Sequence, residues 1–277
     1  MKTFSPALTL AGLIATLFIF GVSLYQTNEI KESLSTRYLG EFPDASDDLN
    51  ELYLKAKKSI FIFDGLISGG VFSYPEKYHK TITILRKQSI KIPITVYVYD
   101  LDFYRKETLP PAFLKLPKSE CHSLSEEEKD SILRENIKDR YKTFFIYDYT
   151  GKSSSEDLQD LTRLNECKKK YFTEDVDSVK CETFFNGIIE MMRETEKFLE
   201  REDNDDTKGV EIIHIGQEHK MFAYLADRKE AIFGFPDNII TEVAFKTRDG
   251  NFIKIMDNVI EYYEKHKDKL QYRPDTK

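Results

Sequence analysis

Ser59-Ile60-Phe61-Ile62-Phe63-Asp64-Gly65 is a short apolar run, rich in β-branched and aromatic residues and stopped by glycine. Such a run reads as a strand buried on both faces of a sheet. Downstream, Ser73-x-x-Glu76 with Pro75 in the first turn marks a helix start, and Tyr78, Ile82 and Leu85 follow at helical spacing. A second buried strand is expected over Ile92–Tyr99, which completes a βαβ unit. Upstream, a helix is expected over residues 46–57.

Towards the C-terminus the pattern is equally regular. Phe184, Phe185, Ile188, Ile189, Met192 and Leu199 form the apolar face of a helix over about 181–202. Strand-like runs follow at Val210–Ile215, Met221–Asp227, Ala231–Phe235 and Glu242–Lys246, and a last helix carries Phe252, Ile255, Met256, Val259, Ile260 and Tyr263. Between these blocks, residues 101–178 read as an insertion: a polar helix at 125–139, a strand at Lys142–Tyr149, and loops around Pro110-Pro111 and Pro117. The fold class expected is α/β, a mixed, mostly parallel sheet with helices on both faces.

The N-terminus adds a separate expectation. From Ala7 to Tyr25 the chain is almost continuously apolar, and no charge occurs between Lys2 and Glu29. About 19 helical residues span about 29 Å, the thickness of a bilayer core, and Val22-Ser23-Leu24-Tyr25 offers no signal-peptidase site. The stretch reads as one N-terminal transmembrane helix, giving a single-pass membrane protein with the lipid bilayer as partner through residues 7–25. Basic residues flank it almost evenly, so the side of the domain stays undetermined. The expected organisation is an anchor over 1–25, a tether over 26–47, the α/β domain over 48–270 and a tail over 271–277.

Composition excludes several classes. A net charge of −7 and a pI near 5.5 lack the basic stripe of a nucleic-acid footprint, so no nucleic-acid partner is expected. Cys121, Cys167 and Cys181 are odd in number and widely spaced, as buried free thiols are. The Asp203-Asn204-Asp205-Asp206 run lacks the spacing and glycine of a calcium loop. No metal or cofactor is implied.

The order strand, helix, strand, insertion, helix, then four strands and a helix resembles one half of the phospholipase D superfamily, whose strand carries H-x-K-x-x-x-x-D, followed by a glycine turn and a later glutamate. The matching stretch is Lys220-Met221-Phe222-Ala223-Tyr224-Leu225-Ala226-Asp227, then Gly234 and Glu242. In the family the histidine attacks phosphorus, the lysine holds phosphate oxygens, the aspartate orients the histidine, and a second half or a homodimer supplies the general acid. Here Lys220 stands in place of the histidine and Phe222 in place of the lysine. His219 is one residue off, which in a strand turns it to the opposite face. The resemblance therefore implies a catalytically degenerate, membrane-anchored module that binds a partner or ligand, with Lys220, Glu242, Asp64 and Asp100 as binding candidates. The alternative is a membrane-bound phosphodiesterase or hydrolase acting on a phosphate ester through His219, Asp227 and His214, or through the Asp64, Asp100 and Asp102 edge.

Tyr97-Val98-Tyr99-Asp100-Leu101-Asp102 also resembles the D-x-D motif of haloacid-dehalogenase-type phosphotransferases, although strand-terminal aspartates commonly cap helices. Asp64, Asp100 and Asp148 each end an expected strand and would share one sheet edge if those strands are parallel. His79, His122 and His266 are read as structural or solvated.

Overall fold

The computed structural model describes residues 36–41, 44–63, 69–151, 158–200, 209–216, 221–237 and 241–270. Seven strands form one sheet: β1 (Arg37–Glu41), β2 (Ile60–Phe63), β3 (Ile94–Tyr99), β4 (Val210–Ile215), β5 (Phe222–Ala226), β6 (Glu230–Asp237) and β7 (Thr241–Thr247), in the order β1-β7-β6-β5-β2-β3-β4. The 222–226 strand lies at the centre and all five of its residues are buried.

Residues alternate between two apolar layers. Ile60, Ile62, Val96, Val98, Phe222, Tyr224 and Ile232 point into the larger one, with α1 (Ser46–Lys55), α2 (Gly69–Ser73) and α3 (Pro75–Ser89). On the other face Phe61, Phe63, Tyr97, Ala223 and Leu225 meet Ile253, Met256, Ile260 and Tyr263 of the C-terminal helix Gly250–Leu270. Each fully buried Ile, Leu or Phe contributes about 1.5–3 kcal/mol relative to exposure, so both layers are needed to hold the sheet between its helices.

The sheet is mixed, as expected, but mostly antiparallel rather than mostly parallel. β2–β3 and β3–β4 are parallel, whereas β1–β7, β7–β6, β6–β5 and β5–β2 are antiparallel. Connection length is the reason. Parallel neighbours need a crossover of a dozen or more residues, which helices supply before β3 and β4, while β5, β6 and β7 follow one another across gaps of a few residues and can only form hairpins.

The described residues of the insertion form helices joined by turns, with no strand among them. Leu101–Phe103 (α4) runs through a π-helical stretch, Tyr104–Thr108, into Leu109–Leu114 (α5); Lys118–Ser123 (α6), Glu126–Ile146 (α7) and Leu158–Tyr171 (α8) follow. The strand expected at Lys142–Tyr149 is instead the last turn of α7, to Ile146, and the turn that follows it. Leu133, Ile137, Tyr141 and Phe144 continue one buried helical stripe, and a Ser125–Glu128 capping box fixes its start. Phe144 packs against Phe72 of α2 and against Phe172, which packs against Phe184 of α9 (Cys181–Glu200), so insertion and sheet share one core.

Arg37–Glu41, within the stretch read as a tether, adds the outermost strand. Arg37 pairs with Asp48 at 2.7 Å, and Thr36 Oγ1 donates to Thr247 Oγ1 at 3.0 Å. The anchor expected over residues 7–25 lies outside the described residues. Among the described residues no helix is long and apolar enough to cross a membrane; the two 21-residue helices, Glu126–Ile146 and Gly250–Leu270, carry charge along their length. The single-pass membrane localisation and the bilayer partner are therefore set aside.

Candidate functional site

β2, β3 and β4 run parallel, so their carboxyl ends share one edge, where open α/β sheets hold ligands. At this edge the Asp100 amide donates to the Ile215 carbonyl at 2.9 Å. The Asp100 carboxylate accepts from the Asp102 and Phe103 amides at 3.0 and 3.1 Å, so it is the N-cap of α4. Asp102 is exposed. A carboxylate committed to a helix start is not placed as a phosphoryl acceptor, and the D-x-D reading loses its nucleophile.

His214 pairs in register with Val98 and shares the face of Val210 and Ile212, towards α9. Its Nε2 lies 3.6 Å from Glu196 Oε2, an ion-pair rather than a hydrogen-bond separation. The Glu196 side chain is 13% exposed. Burial pushes its carboxyl up to about 7; the charges of Glu200 and Asp100 push the same way, and His214 and Arg193 oppose them. Glu196 is absent from the residues that the sequence reading singles out, although it follows Met192 by four residues and precedes Leu199 by three, in line with the apolar stripe of α9. An acid on such a stripe is the available signal. Asp64, His219 and Lys220 lie outside the described residues.

Asp227 is at the opposite edge. It has φ 55 and Arg228 φ 52, the left-handed pair of a hairpin turn between β5 and β6. Its carboxylate accepts from the backbone amides of Lys57, Lys58 and Ser59, at 3.0, 2.7 and 3.2 Å. Burial alone would raise its pKa, but these three bonds together hold it below the ordinary value. Counting registers from Ser59 to His214, Asp227 and His214 are about five residues apart along the strands and three strands across, roughly 20 Å. The expected grouping of His214 with Asp227 is therefore not formed, and Asp227 ties the hairpin to the entry of β2 instead of orienting an imidazole.

Phe222, at the position of the family's lysine, is 5% exposed and faces the larger core. It stands opposite Gly234 in the β5–β6 ladder, and a Cβ at Gly234 would overlap both the Phe222 ring and the Val243 carbonyl. Gly234 is thus a packing glycine inside β6, not the turn that the resemblance implies. Glu242 lies in β7 opposite Pro236.

The remaining candidates separate as well. Asp148 follows a helix; its carboxylate accepts from Thr150 and Asn165. His79 is buried with Nδ1 3.1 Å from the Tyr147 hydroxyl, His122 is exposed, and His266 Nδ1 is 2.9 Å from the Tyr262 carbonyl. Cys121, Cys167 and Cys181 are buried free thiols. Among the described residues no group of three or more acidic, histidine or cysteine side chains is arranged to hold a metal ion.

No protein-family model and no curated protein matches the chain. Among solved structures it is similar to TrmBL2, described as an archaeal chromatin protein with a novel mode of DNA binding, at 10% identity over 95% of this chain and 72% of that one. The TM-score is 0.36, too low to carry an argument about fold or ligand. The exclusion of nucleic acid, drawn from net charge alone, is withdrawn, because an overall charge does not describe a local surface; no nucleic-acid role replaces it.

Proposed function

We propose that the chain is a binding module that does not cleave phosphodiesters, a catalytically silent counterpart of a phospholipase-D-like half. The observation that carries this is Phe222: the residue that the resemblance aligns with the phosphate-binding lysine is a buried phenyl ring packed over Gly234. Turning that site to chemistry requires an imidazole and an ammonium on one strand face, within about 3–4 Å of one phosphate. Asp227 supports the same reading, because its carboxylate is engaged by three amides. Binding is assigned to the carboxyl edge around Asp100, His214, Glu196 and Glu200, whose charge favours cationic groups over phosphate. The test is steady-state hydrolysis of lipid, nucleotide and chromogenic phosphodiesters by the purified full chain. No turnover above the Phe222→Ala variant is expected; turnover abolished by His214→Ala or His219→Ala would overturn the proposal.

A further inference from the structure

β4 closes one end of the sheet and is hydrogen-bonded to a single neighbour, β3. Its two faces are covered by α9, through Val210 and Ile212, and by the C-terminal helix Gly250–Leu270, through Ile213 and Ile215, and a polar contact with α9 is Glu196–His214 at 3.6 Å. His214 sits one residue before Ile215, whose carbonyl accepts the Asp100 amide, so the same contact lies beside the turn that starts α4. We propose that Glu196 and His214 form a one-proton latch that holds β4 to α9, closed while the pair shares a proton and open once that proton is lost.

The groups facing Glu196 decide the sign. On its own helix are Arg193 and Glu200; from the end of β3 comes Asp100, from α3 Tyr78, and from β4 His214. With one proton on the pair, either the carboxyl is neutral or its charge is met by an imidazolium. Without it, a carboxylate that is 13% exposed faces Asp100 and Glu200 with Arg193 as the compensating cation. Repulsion and desolvation then both favour moving Glu196 outward, and β4 keeps its ladder to β3 and its apolar cover but loses this polar tie to α9. Burial has already brought the carboxyl's titration to about 7, so the latch is poised near neutrality. This inference is independent of whether the edge binds a ligand, because it concerns β4 itself.

Amide hydrogen exchange on the full chain tests it, with rates corrected for intrinsic base catalysis and β5 at the sheet centre as internal reference. Between about pH 6 and pH 8.5, protection of the β4 amides bonded to β3 is expected to fall about tenfold relative to β5, as one unit of altered proton affinity implies. In Glu196→Gln, neutral at both pH values, the fall should vanish. An unchanged β4-to-β5 ratio in the wild type, or the same fall in Glu196→Gln, overturns the latch. Should Glu196→Gln not fold, Glu196→Met decides: β4 protection that no longer depends on pH relative to β5 supports the latch, and a retained pH-dependent fall overturns it.

Discussion

Replacing Asp227 by alanine removes the one carboxylate that accepts from three consecutive amides, those of Lys57, Lys58 and Ser59. A hydrogen bond to a charged group is worth about 1.5–3 kcal/mol net. The three are not additive, since they share one carboxylate and the Lys57 and Lys58 amides are near enough to solvent for water to replace part of each. Alanine at φ 55 adds a left-handed penalty of about 1–2 kcal/mol. The expected loss is about 3 kcal/mol, a large share of the roughly 5–15 kcal/mol that holds a domain folded. Asparagine tolerates the left-handed conformation and keeps one acceptor oxygen, so Asp227→Asn should cost about half as much. Urea unfolding followed by circular dichroism measures both. Because the folded carboxyl titrates below its ordinary value of 3.8, its contribution is fully present above that value and is lost as pH falls through the folded one. The gap between wild type and Asp227→Asn should therefore be constant near neutrality and close in acid. A loss under about 0.5 kcal/mol, the scale of ordinary surface substitutions, or a gap that persists in strong acid, would refute the capping role.

Gly234→Ala should cost more than about 3 kcal/mol or prevent folding, because the added Cβ would overlap the Val243 carbonyl and the Phe222 ring; a near-neutral effect in denaturant unfolding would contradict the packing of β5 on β6. Tyr97→Phe should be neutral or stabilising by up to about 1 kcal/mol, since the buried Tyr97 hydroxyl has no hydrogen-bond partner among the described residues; a clear loss of thermal stability would reveal a missing partner. Lys168, which donates to the Phe144 carbonyl at 3.3 Å and to that of Tyr147, has its pKa lowered by burial to about 8. The unfolded chain then binds more protons between about pH 8 and the ordinary value of 10.5, so wild type should gain stability over Lys168→Met across that window, by up to about 1.4 kcal/mol per pH unit; parallel stability curves would contradict the shift.

Much of the fold is legible in the sequence because local and global signals agree. The apolar stripe from Phe184 to Leu199 marks α9 to within two residues, and Val210–Ile215 is the observed β4. At Lys142–Tyr149 β-like composition competes with helical period, and the stripe through Tyr141 and Phe144 wins. Strand character alone misleads about sheet polarity, whereas the short gaps after Ala226 and Asp237 already demand hairpins. At the candidate site, the burial of Phe222 can be read from the apolar run that it opens. The cap at Asp100 is local and follows the tendency of strand-terminal aspartates to cap helices, whereas the role of Asp227 cannot be read, because it depends on an amide 170 residues away in sequence. Glu196 is visible as an acid on an apolar stripe, but its meeting with His214 is a tertiary fact.

The most direct test of the claim that the phospholipase-D-like positions are structural is a pre-steady-state burst measurement on the full chain. Protein is mixed with a chromogenic phosphodiester at near-stoichiometric concentration, and the quenched protein is weighed by intact mass spectrometry. A nucleophilic histidine would release about one equivalent of leaving group per chain and retain a phosphoryl adduct. The account predicts no burst and an unmodified mass. A stoichiometric burst with the adduct on His214 or His219 would contradict it.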